Sequence, residues 1–215
     1  IDQACQEIRD GQWHDHFVVD VIQGGAGTST NMNANEVIAN RALQILGHAI
    51  GDYDRLHPLD HVNLSQSTND VYPTALRVAA HGEAATLDAA LGRLEGAFRT
   101  KACEFDNVLK MGRTQLQDAV PMTLGQEFNT YLTMVSDDRV RLREAQLSLL
   151  KVNLGGTAIG TGLNAHRLYA DRACAHLRSL TGLELVLSSD LVEASQDTDA
   201  FVQLSGVLKR IAIKL

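Results

Sequence analysis

The sequence predicts a mainly α protein in which long, nearly antiparallel helices pack as a bundle. Three stretches carry apolar residues at steps of three, four and seven, which is the spacing of one buried helix face. The apolar positions are Leu87, Leu91, Leu94 and Phe98; Phe128, Leu132, Val135, Leu142 and Leu149; and Phe201, Leu204, Leu208, Ile211 and Leu215. All three prolines precede residue 122, so the second half of the chain lacks the strongest helix breaker.

Shorter elements are predicted ahead of these helices. Residues 1–18 are predicted to be helical and then extended, and a helix is predicted from about Asn35. Residues 47–58 are predicted to be connecting chain. His14 and His16 have the spacing of metal ligands on a strand, but no third ligand is near, so we predict a structural role and no metal site.

The later elements follow from helical spacing and from signals at helix ends. The helical pattern holds from about Tyr72 onward. Thr123 and Gln126 fit a capping box at the start of the second long helix. A shorter helix is predicted over residues 166–180, and Gly182 is expected to end it.

Composition narrows the classes of function. The 215 residues are 45% hydrophobic and carry a net charge of −7, which fits a globular chain of one or two domains. The sequence has no basic patch and no apolar run of membrane-spanning length, so we expect neither a nucleic-acid nor a membrane partner. Three widely spaced cysteines, Cys5, Cys103 and Cys174, favour a reducing, cytoplasmic setting.

Both ends of the sequence are unusual for a whole protein. The chain begins with Ile1 rather than methionine. Residues 211–215 continue an apolar helical repeat, and no Gly, Asn or Pro follows as a stop signal. We therefore expect the chain to be a fragment of a longer protein.

The run Asn63-Leu64-Ser65-Gln66-Ser67-Thr68-Asn69-Asp70 is the most informative stretch of the sequence. Its hydroxyl and amide groups can donate and accept hydrogen bonds without carrying charge. Such a run can open a helix and direct free N–H groups at an anion. The same residue types also cap helices in solvated loops, and the run alone leaves both interpretations open.

Three further segments have a similar polar or glycine-rich character. Residues 23–33 contain three glycines among neutral donors, without the spacing of a phosphate loop or a dinucleotide-binding fingerprint. Residues 110–121 contain Thr114 and Gln115, and residues 155–164 are glycine-rich and predict close backbone approach. Their recurrence favours a binding function over helix capping alone.

Three of these motifs together resemble the aspartase/fumarase superfamily. The motifs are Gly-Ala-Gly-Thr-Ser-Thr-Asn-Met-Asn-Ala-Asn-Glu-Val-Ile-Ala-Asn-Arg-Ala at 25–42, the stretch at 57–74, and Gly-Arg-Thr-Gln-Leu-Gln-Asp-Ala-Val-Pro-Met-Thr-Leu-Gly-Gln at 112–126. The resemblance covers the whole chain with the motifs in the family's order. It implies residues 1–70 as the C-terminal part of an N-terminal lyase domain and residues 71–215 as an incomplete bundle domain. It also implies a homotetramer without a cofactor, in which the polar clusters of three subunits meet at each active site.

The resemblance implies substrate-binding roles for single residues. Thr28 matches a substrate-binding threonine of the first cluster, and Thr114 and Gln115 match a Thr-His pair of fumarases. The family's substrate-binding triplet is matched by Ser67, Thr68 and Asn69. A neutral amide at Gln115 cannot titrate near pH 7 as imidazole can, which favours the aspartase branch, the aspartate ammonia-lyases.

A second dicarboxylate site is also implied. His57 and Asp60 match residues of such a site in fumarases, but Leu59 stands where those proteins have asparagine, which puts the site in doubt. The histidines and carboxylate of His57-Pro58-Leu59-Asp60-His61 could also suggest a metal, or a histidine bound to a loop carbonyl.

The chemistry that the resemblance implies is reversible elimination of ammonia from L-aspartate to give fumarate. The carbanion intermediate places extra negative charge on the β-carboxylate, which prearranged neutral donors stabilise. The family's base is a serine on a Gly-Ser-Ser-x-Met-Pro-x-Lys-x-Asn loop, and these 215 residues contain no such run, so we predict no catalytic residue in this chain. Two alternatives remain open: a class II fumarase-like hydro-lyase acting on malate and fumarate, and an inactive helical assembly fragment.

Overall fold

The computed structural model describes residues 1–215 and is mostly helical. The helices are α1 (Asp2–Arg9), α2 (Thr28–Ile45), α3 (Thr68–Glu104), α4 (Leu124–Ser148), α5 (Tyr169–Thr181), α6 (Leu191–Gln196) and α7 (Asp199–Lys214). The strands are β1 (Leu109–Thr114), β2 (Gln117–Thr123), β3 (Lys151–Val152) and β4 (Val186–Leu187). No helix combines the length and the apolar character needed to cross a membrane.

The chain forms two compact units. The first unit contains residues 1–77 and 151–197, and the second contains residues 78–150 and 198–215. In the first unit, α1 packs on α2 around a small core, and β3 pairs with β4 in parallel. That core consists of Ala4, Ala39, Ala42, Leu43 and Leu56.

The second unit is an antiparallel bundle. Phe98 contacts Phe128, and Gln146 donates to the His81 carbonyl at 3.1 Å, so residue numbers fall along α3 as they rise along α4. The contacts of α7 with α4 run in the same antiparallel sense, because Ser148 donates to Gln203 at 2.7 Å near one end and Lys214 donates to Asp138 at 2.7 Å near the other. The predicted helical bundle is confirmed.

Most of the predicted apolar positions lie in the core of this bundle. The buried ones are Leu91, Val135, Leu142, Leu149, Leu204 and Ile211, and Leu87, Leu94, Phe98 and Phe201 pack against them. Leu208 and Leu215 are 39% and 73% exposed, so the apolar repeat of α7 continues beyond what this core covers.

Some predictions of local structure were wrong: α3 begins at Thr68 rather than near Tyr72, and α5 begins at Tyr169 rather than at residue 166. Helix α2 begins at Thr28 rather than near Asn35, because Gly27 at φ 93° lets the chain turn directly into the helix. His14 and His16 lie on a 3₁₀ turn rather than a strand, where His14 Nε2 lies 2.8 Å from the Ile8 carbonyl. This geometry supports the structural role that the sequence predicted.

The hairpin of β1 and β2 was missed by the sequence interpretation. Its two strands are antiparallel and joined by Gln115 and Leu116, both at positive φ (49° and 63°). Two central residues with positive φ are typical of a tight hairpin turn, which glycine or asparagine normally signals. A bulge between Met111 and Arg113 further interrupts the alternation that reveals strands.

Two end signals were confirmed. The backbone N–H of Gln126 donates to Thr123 Oγ1 at 3.1 Å, and that of Thr123 donates to Gln126 Oε1 at 3.0 Å, which completes the capping box of α4. Helix α5 ends at Thr181, and Gly182 caps it with φ 69°.

Candidate active site

The predicted triplet of Ser67, Thr68 and Asn69 lies at the N-terminus of α3. Ser67 Oγ accepts the backbone N–H of Asn69 at 3.2 Å, and the Asp70 carboxylate accepts the backbone N–H of Ser67 at 3.0 Å. This is a reciprocal cap in which aspartate replaces the usual Glu or Gln. Capping and binding are therefore compatible here, because the cap fixes the first turn whose N–H groups can face an anion.

The first polar cluster meets this helix start within the first unit. Asn31, in the first turn of α2, donates from Nδ2 to Thr68 Oγ1 at 3.0 Å. A side chain at Gly27 would place a Cβ atom 2.2 Å from the Tyr72 ring, so glycine permits the close approach of the two segments. The starts of α2 and α3 are thus held side by side.

Thr28 is the exposed first residue of α2. Its hydroxyl donates to the Gly25 carbonyl at 2.7 Å, which leaves the oxygen lone pairs free to accept.

Asn31 was not predicted as part of the site, although it lies three residues further along the same motif. It is buried, and its role is to connect the two helix starts.

The glycine-rich loop at 155–164 forms the other side of this part of the first unit. Asn69 Nδ2 donates to the Ala158 carbonyl at 2.8 Å, and Asn153 Nδ2 donates to the Asn69 carbonyl at 2.9 Å. A cavity of about 400 Å³ lies between the loop and residues 65–67, lined in part by Ser67 and Thr157. The sequence predicted close backbone approach for this loop but gave no partner for it.

A buried carboxylate and a half-buried phenol interact here. Burial raises the pKa of Asp70 above its usual value, and the backbone N–H groups of Ser67, Thr157 and Gly155 partly oppose that rise. Burial, with a smaller contribution from Asp70, raises the pKa of Tyr169 to about 12. Tyr169 is therefore a neutral phenol near pH 7 and is poorly suited to act as a base.

The third polar cluster belongs to the second unit. Thr114 ends β1, and Gln115 lies in the two-residue turn beside Leu116, whose side chain is 99% exposed. Both predicted residues are exposed. The six predicted substrate-binding residues thus divide into four on the first unit and two on this hairpin.

His57 and Asp60 lie at the start of a short π-helical turn, Pro58–Val62. His57 Nδ1 accepts the backbone N–H groups of Leu59 at 3.2 Å and of Asp60 at 3.3 Å, and it lies 3.5 Å from Asp60 Oδ2. The imidazole therefore caps this turn and has Nε2 left for any ligand. A second dicarboxylate site at these residues stays a prediction.

Comparison with known proteins identifies the family of the chain. A family model described as "Lyase" matches residues 1–215. Aspartate ammonia-lyase of Helicobacter pylori is 56% identical over 212 residues, which cover 99% of this chain and 45% of that protein. The enzyme of the same name from Bacillus subtilis is 52% identical over 207 residues, which cover 96% of this chain and 44% of that protein.

Solved structures match the fold. A fumarate lyase:delta crystallin from Brucella melitensis, bound to cobalt, has a TM-score of 0.96 and 57% identity, covering 99% of this chain and 46% of that chain. A class II fumarase from Schistosoma mansoni has a TM-score of 0.93 and 34% identity, covering 99% of this chain and 48% of that chain. The chain spans about half the length of the relatives it matches. Over that span, the sequence motifs, the fold and the matching family model all agree. The chain belongs to the lyase family that contains the aspartate ammonia-lyases and class II fumarases.

Proposed function

We propose that the protein containing this chain is an aspartate ammonia-lyase that converts L-aspartate reversibly to fumarate and ammonia. The observation that carries the proposal is the pair of helix starts, α2 and α3, which the Asn31–Thr68 hydrogen bond holds together. Their neutral donors suit a dicarboxylate whose charge increases during the reaction. Identities of 50–56% to aspartate ammonia-lyases support the choice of substrate.

The reaction needs a base and a set of charge-stabilising donors. A base removes the proton next to the β-carboxylate, the electron pair delocalises into that carboxylate, and the carbon–nitrogen bond then breaks to release ammonia. Ser67, Thr68 and Asn69 supply the donors at the N-terminus of α3, where the helix dipole also favours negative charge. In this proposal the base is the serine of the family's flexible loop, which is not among these 215 residues.

The proposed assembly is a cytoplasmic homotetramer with active sites shared between subunits. Thr28 and the triplet lie on the first unit of one chain, and Thr114 and Gln115 lie on the exposed hairpin tip of the second unit. Exposure of that tip suits a role in a site completed by another subunit. We propose that this hairpin brings Thr114 and Gln115 to the dicarboxylate.

A fumarase-like activity on malate is the second candidate, because a class II fumarase shares the fold. Gln115 argues against it, since its amide cannot shuttle protons near pH 7. With purified full-length protein, we expect aspartate to give fumarate, seen as rising ultraviolet absorbance, and malate to give little. Rapid malate turnover would reverse this choice, and tetramers inactive on both substrates would favour the assembly role.

The polar side chains of the site are tested by Thr28→Ala and Asn69→Ala in the full-length protein. Each is expected to lower kcat/KM for aspartate about a hundredfold, since each removes a polar group aimed at substrate. Thr86→Ala is the matched control, because Thr86 is an exposed helix threonine that bonds only to the Gly82 carbonyl. Native mass shows whether assembly is kept, and wild-type kinetics in either variant would remove that residue from the site.

A further inference from the structure

Asp70 is a fully buried carboxylate that joins two segments of the first unit. Oδ1 accepts the backbone N–H of Ser67 at 3.0 Å, and Oδ2 accepts those of Gly155 at 3.0 Å and Thr157 at 2.9 Å. An ionised carboxylate can accept all three because it carries no donor of its own. One side chain therefore fixes both the start of α3 and the turn at 155–157.

The turn that Asp70 holds reaches back to Asn69. Ala158 follows this turn directly, and its carbonyl accepts Asn69 Nδ2 at 2.8 Å. A backbone carbonyl can only accept, so the amide nitrogen of Asn69 must face Ala158. Ala158 accepts one of the two N–H groups, and the amide oxygen, Oδ1, is then the acceptor that the side chain presents to a ligand.

The orientation of this amide determines which substrate group can bind it. A substrate ammonium has only donors, so it pairs with Oδ1 and is repelled by the amide nitrogen. If the Ala158 carbonyl moves away, the amide is free to rotate and present its nitrogen. The contacts that hold residues 155–158 therefore control how Asn69 meets an amine.

We propose that Asp70 is a positioning residue that acts through the turn at 155–158 to orient Asn69 for recognition of the substrate's amino group. The identity of the substrate rests on the proposed function, whereas all the contacts that carry the inference lie within the first unit. Asp70 itself touches no substrate, and its effect passes through the Ala158 carbonyl to Asn69.

The test uses Asp70→Asn in the full-length protein. An asparagine amide has one accepting oxygen, so it cannot accept from Ser67 and from the turn at the same time. We expect KM for aspartate to rise about tenfold or more, because a site built to pair an amine is left mispaired. The inhibition constant of succinate should stay within about twofold. Succinate is a dicarboxylate without an amine, so it loses no partner when the Asn69 amide turns.

Two controls separate positioning from general stability. Asp138→Asn alters another buried carboxylate, which accepts Lys214 Nζ at 2.7 Å in the bundle, and it should leave the ratio of the two constants unchanged. In the Asn69→Ala background, Asp70→Asn should add little to the loss of kcat/KM, because residues that act through one another are non-additive. Equal changes for aspartate and succinate, or fully additive losses, would overturn the proposal.

A second readout does not depend on activity. Hydrogen exchange at the backbone N–H groups of Gly155 and Thr157 should be faster in Asp70→Asn than in Asp138→Asn, and equal exchange would overturn the positioning contact. A wild-type protein inactive on aspartate would refute the proposed function, while this exchange result would still test the contact.

A milder variant serves if Asp70→Asn does not fold. Gly162→Ala strains the loop at φ 68° with its nearest contact at 3.4 Å, and it should produce the same split between aspartate and succinate. Equal changes for the two ligands in this variant would overturn the proposal.

Discussion

At the scale of single residues, Glu7 shows how pairing across the chain changes the chemistry of a side chain. Glu7 accepts hydrogen bonds from Arg41 Nη2 and from Trp13 Nε1, each at 3.0 Å. The Arg41 guanidinium also lies 4.8 Å from the centre of the Trp13 ring. The hydrogen bonds from Arg41 and then Trp13 lower the pKa of Glu7 to about 2, which favours its charged form.

The Glu7 pair predicts a specific pH dependence of stability. Because folding lowers this pKa from 4.5 to about 2, the stabilising contribution is complete well above pH 4.5 and is lost as the pH falls towards 2. Glu7→Gln should therefore lower the Tm at neutral pH, and the difference from wild type should shrink across this range. Thermal unfolding of the full-length protein at stepped pH measures it.

Glu184→Gln is the control for that prediction. Glu184 pairs with Arg178 at 3.3 Å, but its side chain is 84% exposed, so the pair should contribute little at any pH. A Tm difference for Glu7→Gln that stays constant from pH 7 to pH 3 would contradict the role of this ionisation.

At the scale of elements, the junction between α3 and α4 depends on a glycine that packs against the end of α3. The backbone N–H of Gly125 donates to the Phe105 carbonyl at 2.9 Å. A Cβ atom at Gly125 would lie 2.5 Å from the Ala102 carbonyl oxygen and 2.7 Å from the Asp106 Cα. Both neighbours are backbone, so they cannot rotate away as a flexible side chain can.

Gly125→Ala should therefore destabilise the bundle. Overpacking of this kind costs about 1–3 kcal/mol, more than the helix propensity gained from alanine. Gly96→Ala is the matched control, because nothing lies within 4 Å of its added Cβ, and it should be neutral or stabilising by up to about 1 kcal/mol. Denaturant unfolding measures both, and equal stability of the two variants would contradict the close contact.

The elements differ in how well the sequence reveals them. Long helices repeat their apolar spacing many times, and the capping box of α4 uses two residues three apart, so both could be predicted locally. The β1–β2 hairpin could not, because Gln115 and Leu116 adopt positive φ without glycine and a bulge interrupts the strand pattern. Local propensity carries no sign of a conformation that the surrounding structure imposes.

At the scale of the whole molecule, the bundle helices keep large apolar side chains exposed. On α4, Val140 and Leu147 are 51% and 67% exposed, and on α7, Val202 and Ile213 are 64% and 75% exposed. Exposed apolar patches on a protein surface mark interaction sites. These exposed side chains agree with the proposed homotetramer.

Leu147→Glu should weaken that assembly. A buried, unpaired carboxylate at an interface is strongly unfavourable, so we expect the native mass of the full-length protein to fall below four chains. Ile50→Glu is the control, because Ile50 is similarly exposed, at 64%, but lies in a loop of the first unit. Analytical ultracentrifugation measures both, and an intact tetramer with Leu147→Glu would exclude this position from the interface.

The sequence by itself determined the helical bundle, the apolar faces of its helices and the polar motifs of the family, because each depends on residues that are close along the chain. Only the tertiary structure decided that Asp70 accepts from Gly155 and Thr157, 85 and 87 residues away, and that Asn31 joins Thr68. A buried carboxylate must find its donors wherever the fold supplies them, and sequence spacing does not encode those partners.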